Sequence, residues 1–176
     1  KMNYQYYDRD IIELTAKELR ENIDELSAFE DKKIPIFQKM MYPLGRGTSS
    51  MQNKIYEMEK SIIIDLASSD NCVMVGRCAD YILHECNHSS MLSTFIYAPR
   101  DTRIISCENE LGLSQGMAED YVRKIDQARC EFYKLHSGVS FYSPKYRHIM
   151  LDSSIAEHEA CADIICSAAK NKFRLK

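Results

Sequence analysis

The stretch Cys72-Val73-Met74-Val75-Gly76-Arg77-Cys78-Ala79-Asp80-Tyr81-Ile82-Leu83 decides the fold class. Consecutive apolar residues end at a glycine, an arginine follows, and a short helical pattern begins at once. A strand feeding a helix through a tight glycine turn places backbone N–H groups and a cation at the strand's C-terminal edge. Open α/β sheets bind ligands at that edge, and helix N-termini there favour anions. The planar fork of Arg77 suits a phosphate or a carboxylate. The other reading is an arginine at the end of a buried strand that snorkels or pairs with a nearby acid.

Upstream, Met51 to Ser68 reads as a long helix with Ile55, Met58, Ile62 and Leu66 at helical spacing, its methionines serving as core filling. Downstream, a strand over Leu92 to Tyr97 ends at Ala98-Pro99, and Arg100 to Glu110 is helical until Gly112 stops it. Ser114 is expected to cap a long helix from Gln115 to His136, and Ser137 to Tyr146 is irregular. His148 to Asp152 is the last strand, and Ser154 opens a helix through Asn171.

At the N-terminal end, Tyr4 to Tyr7 is β-prone and Asp8-Arg9-Asp10 starts a helix with Ile11, Ile12, Leu14 and Leu19 on one face. A second helical stretch covers Ile23 to Phe29, and a long connection broken by Pro35, Pro43, Gly45 and Gly47 runs from Asp31 to Ser50. Gly45-Arg46-Gly47-Thr48 lacks the lysine and the preceding strand of a phosphate loop and reads as a flexible loop. Strands alternating with helices imply a parallel sheet covered on both faces, a three-layer α/β/α architecture in one domain over residues 1–176.

A net charge of -3 gives no basic surplus for nucleic acid, and no apolar run is long enough to span a membrane. Seven cysteines without a C-x-x-C pair argue for reduced thiols and a cytoplasmic protein rather than a disulfide framework or a zinc ribbon. No heptad seam or exposed apolar stripe demands an oligomer.

His84-Glu85-Cys86-Asn87-His88 matches H-E-x-x-H, the pattern of zinc hydrolases. That chemistry needs both histidines one turn apart on a stable helix, with a third ligand; Glu108 or Glu110 from the next helix is the available source. Here Asn87 and Ser89-Ser90 break the helix at once, which leaves His88 in a turn and makes surface loop residues the better account.

Several separated pieces together resemble the cytidylate kinase-like family of nucleotide kinases. They are Tyr6-Tyr7-Asp8-Arg9-Asp10-Ile11-Ile12, Val75-Gly76-Arg77-Cys78-Ala79-Asp80, Phe95-Ile96-Tyr97-Ala98-Pro99 with Arg103, Asp126-Gln127-Ala128-Arg129, and Leu151-Asp152-Ser153-Ser154. The resemblance implies a small kinase fold with a helical lid, ATP and Mg2+ as cofactors, and a nucleoside monophosphate, CMP-like, as acceptor. It places the acceptor phosphate on Gly76 and Arg77, with Asp80 near the acceptor and Asp8 and Arg9 where the acceptor pocket begins. It assigns Arg103 to the donor side, and Asp126 and Arg129 to the lid motif that closes over the transferring group. Arg123 and Arg129 lie three residues either side of Asp126, so one helix face carries all three and the aspartate can orient either arginine. Ordinary ion pairs on a solvated helix have the same spacing.

Two departures stand out. No G-x-x-x-x-G-K-[ST] occurs in the chain, whereas the family has a strand and glycine-rich phosphate loop before the position of Tyr6. A parallel sheet without that strand keeps an unpaired edge, so the segment is expected upstream of Lys1. Tyr146-Arg147-His148 is basic where relatives are usually acidic, and Ser106 stands in place of a second basic residue after Arg103. A nucleotide-binding module without catalysis is the alternative reading that the missing loop supports.

Overall fold

The computed structural model describes residues 4–8, 49–69 and 71–175. In these residues the order is β1 (Gln5–Tyr7), α1 (Ser49–Ser69), β2 (Cys72–Met74), α2 (Ala79–Glu85), β3 (Thr94–Tyr97), α3 (Arg100–Leu111), α4 (Gln115–Ser137), β4 (Ile149–Asp152) and α5 (His158–Phe173). The class is mixed α/β with short parallel strands. The expected single sheet is not what the described strands form: β1 pairs β2 and β3 pairs β4, both in parallel, as separate two-stranded sheets. The helices proposed between Asp10 and Phe29, the connection from Asp31 and the Gly45–Thr48 loop lie outside the described residues.

The main core gathers Tyr56, Ile62 and Ile63 of α1, Cys78, Ala79, Ile82 and Leu83 around α2, Tyr133 near the end of α4, and Tyr146. Ile63 and Ile82 are essentially inaccessible, and burial of such a side chain contributes about 1.5–3 kcal/mol. Tyr56 also stacks on His136, ring centroids 3.6 Å apart, which joins α1 to the last turn of α4. The first half of α4 belongs to a second cluster, where Ala118 and Val122 pack on Ile104 of α3. Gly112 closes α3 at φ 63°, a left-handed conformation that suits glycine, so the two helices turn back on each other as a hairpin.

One cap and one boundary differ from expectation. Ser114 stands at the N-cap of α4 but its hydroxyl makes no capping bond. The last helix opens at His158 rather than Ser154, because Asp152 Oδ1 accepts the Ser154 N–H at 2.9 Å and its hydroxyl at 2.7 Å. The aspartate thereby forms a turn that competes with helix entry.

Candidate functional site

The turn after β2 is unusual in its backbone. Val75 N–H still bonds Tyr7 O at 3.0 Å, and then Gly76, Arg77 and Cys78 follow with φ of 81°, 53° and 56°. Glycine accepts this conformation freely, whereas each L side chain there costs about 1–2 kcal/mol. The helix therefore begins at Ala79, one residue later than a start directly after Arg77, with no side-chain cap. Strain of this kind persists only where the surroundings fix it, and here they fix the direction of Arg77.

Arg77 Nη1 lies 3.5 Å from Glu59 Oε1, and the two side chains are 11% and 1% exposed. Neither carboxylate oxygen of Glu59 receives a hydrogen bond, and burial raises its pKa while Arg77 pulls it back down. A sealed carboxylate whose only partner among the described residues is a loose ion pair is expensive unless it does something. The sequence reading missed Glu59. Its signal was a charge on the apolar stripe of α1, three residues after Tyr56 and three before Ile62.

Asp80, expected near the acceptor, is held by groups of this chain. Its Oδ2 accepts the Tyr133 hydroxyl at 2.9 Å and faces Arg147 Nε at 3.4 Å, while Oδ1 accepts the Tyr81 N–H at 2.9 Å. Asp8 accepts a bond from the Tyr6 hydroxyl at 3.4 Å, and Arg9 lies outside the described residues.

In the α3–α4 hairpin, Asp126 does not pair with Arg123 or Arg129. It takes a two-point contact from Arg103 Nη1, at 2.6 and 2.8 Å, while Arg103 Nε bonds Ala98 O at 3.1 Å. The bond to Asp126 raises the Arg103 pKa. Arg123 instead pairs with Asp120, which Lys124 also contacts at 2.5 Å, and these partners lower the Asp120 pKa. Arg129 is exposed and makes no ion pair among the described residues. The structure thus brings Arg103 to Asp126 and Arg77 to Glu59, and leaves Arg129 open.

The two histidines of the H-E-x-x-H pattern do not share a helix face. His84 is in the last turn of α2, Cys86 caps it, Asn87 is left-handed and His88 lies beyond. Among the described residues no group of three or more His, Cys, Asp or Glu converges to hold a metal ion, so nothing there supports zinc chemistry. Magnesium in a kinase site is held largely by phosphates and water, and the described residues offer it no protein cage.

The profile of the cytidylate kinase-like family matches residues 1–155, and the chain belongs to that family. No curated protein matches the chain. Among solved structures, an uncharacterized protein from Eubacterium ventriosum ATCC 27560 superposes with a TM-score of 0.68 at 19% identity, over 96% of this chain and 85% of that one. That likeness concerns the fold. No helix among the described residues is long and apolar enough to cross a membrane.

Proposed function

We propose that the chain is a nucleotide kinase-like phosphotransferase that moves the γ-phosphoryl group of ATP to a nucleoside monophosphate, with CMP as the preferred acceptor. Family membership supports the reaction class, and the strained turn that aims Arg77 at the end of β2 is the observation that carries the site. In this reading Gly76 and Arg77 take the acceptor phosphate, and Arg103 and Arg129 neutralise charge on the transferring group. Arg123 and Asp126 hold the lid helix, and Asp8 and Arg9 border the acceptor pocket. Phosphoryl transfer relies on positioning and charge neutralisation, which arginines from separate elements supply. ATP would bring Mg2+ on its own phosphates, and the three-layer kinase sheet is part of the same proposal.

Calorimetric titration with CMP, against AMP and shikimate as comparisons, tests the acceptor. Micromolar CMP binding that disappears in the paired variant E59Q/R77M is expected. Equal binding of all three, or CMP binding unchanged by the variant, overturns the assignment. A nucleotide-binding module without transfer is favoured by one observation: Arg77 and Arg103 are already paired with carboxylates of this chain. CMP binding with no CDP formed from ATP and magnesium selects that second reading.

A further inference from the structure

A cavity of about 360 Å³ opens where the end of α2 meets the segment leading into β4. His84, Asn87, His88, Ser89, Met91, Lys145, Tyr146, Arg147 and His148 line it, and none of these carries a carboxylate. The cavity lies at the N-terminal ends of β3 and β4, because His148 N–H and Ile149 N–H both bond Ser93 O just before β3. Arg103 follows the opposite end of β3, so the cavity is no part of the transfer site proposed above.

The donors in this cavity are set by particular contacts. His148 Nδ1 accepts the Ser93 N–H at 3.0 Å, which fixes the neutral tautomer and leaves Nε2 as a hydrogen-bond donor. Lys145 Nζ sits 4.8 Å from the centre of the Tyr146 ring, whose edge His84 also meets at 4.9 Å. Arg147 contributes little more than its stem and backbone, because its guanidinium faces Asp80. The charged and titratable surroundings are His84, His88, His148 and Lys145, with Lys172 of α5 acting on His148 and with Glu85 and Tyr81 acting on Lys145. Glu85 is the nearby acid, 3.8 Å from His84 Nδ1. Burial, with Lys172 and His84 adding to it, disfavours the His148 imidazolium, so this ring enters the site as a neutral donor.

We infer that this cavity binds a small phosphomonoester, its phosphate held by Lys145, His148 Nε2–H and the imidazoles of His84 and His88. Asn87 and Ser89 complete the donors, and Met91 with the edge of Tyr146 forms the apolar wall for the organic part. A phosphate ion alone leaves most of the cavity unfilled, so an ester binds more tightly than inorganic phosphate. A divalent cation meets the wrong field and no convergent ligand set.

Imidazole NMR of the intact chain, titrated with inorganic phosphate and with ribose 5-phosphate, tests the inference. Saturable shifts at His84, His88 and His148 are expected, with the ester at least about fivefold tighter. K145A and H148Q should each weaken the ester about fivefold or more, and E59Q/R77M should leave it unchanged. Four results overturn the inference: no saturable shift, equal affinity for the two ligands, loss of the shifts in E59Q/R77M, or stoichiometric Zn2+ binding at the same imidazoles with phosphate silent.

Discussion

Arg147 Nε lies 3.4 Å from Asp80 Oδ2, inside a cage where the guanidinium carbon is 3.9 Å from the centre of the Phe95 ring, 5.1 Å from Tyr133 and 5.3 Å from Phe141. The Arg147 side chain is 3% exposed, so the charge is sealed between a carboxylate and aromatic faces. Arg147 Nη1 also bonds Ser143 O at 3.1 Å, which pins the segment between α4 and β4 to the sheet. A stretch that reads from sequence as irregular is thereby tied down by one buried cation.

Asp80→Asn should therefore act on stability. It removes the charge that balances a buried guanidinium, for which roughly 3–5 kcal/mol is typical. At about 2–4 °C per kcal/mol for a chain of this size, thermal unfolding should shift by about 10 °C. Arg147→Lys should not rescue packing, because an ammonium lacks the planar faces that stack between rings. Amide exchange over residues 138–148 should rise in both variants. Protection equal to wild type there would mean that the cage is not what orders the segment.

The Glu59–Arg77 pair makes the opposite kind of prediction, one with a pH sign. Arg77→Met leaves Glu59 buried without its cation, at roughly 3–5 kcal/mol. The folded-state pKa of Glu59 is already above its ordinary value through burial and rises further once Arg77 is gone. Stability tied to the protonated form is fully present below the unfolded pKa and is lost as pH rises through the folded one. The loss in Arg77→Met should thus be larger at pH 8 than at pH 5. Glu59→Gln in the same chain should recover most of it. Chemical denaturation of the single and double variants at both pH values is the measurement, and a pH-independent loss would show that Glu59 stays ionised or exposed.

Element order was readable because apolar periodicity and glycine stops are local signals. Gly112 ended α3 as its left-handed φ requires, and the long helix before β2 fell within a residue or two of its bounds. The site was less legible because its decisive contacts are long-range. Spacing on α4 offered Asp126 the neighbours Arg123 and Arg129, yet the partner is Arg103 from across the hairpin, 23 residues away. Glu59 was one charge among several on α1, and only the burial of its position between Tyr56 and Ile62 sets it apart. The three consecutive left-handed residues at Gly76–Cys78 carry no local signal beyond the glycine, since Arg77 and Cys78 adopt that conformation against their own preference.

Asp126→Asn tests what the hairpin contact does. Arg103 and Asp126 are 33% and 24% exposed, so solvent screens the pair and the loss should be about 1 kcal/mol, near 2–4 °C in unfolding temperature. Because Asp126 holds Arg103, the variant frees that guanidinium for an incoming phosphate. If Arg103 serves the donor side, ATP affinity should hold or rise in Asp126→Asn and fall in Arg103→Met. A parallel fall in both variants would mean that the pair works only as a strut between α3 and α4.

The last prediction concerns the histidines. Burial is the main cause that lowers the pKa of both His136, stacked on Tyr56, and His148, bonded to Ser93. Below about pH 6.5 the unfolded chain takes up protons that the folded chain resists at these positions. Stability should therefore decline as pH drops from 7.5 through 6.5 toward the lowered folded values, and level off below them. Glu59 works with the opposite sign from about pH 4.5 upward and blunts the decline. His136→Phe keeps an aromatic ring against Tyr56 and removes one proton site, so its unfolding temperature should fall less steeply over the same range. An unchanged slope would place the acid sensitivity in His148 alone, and His148→Gln would then have to flatten it.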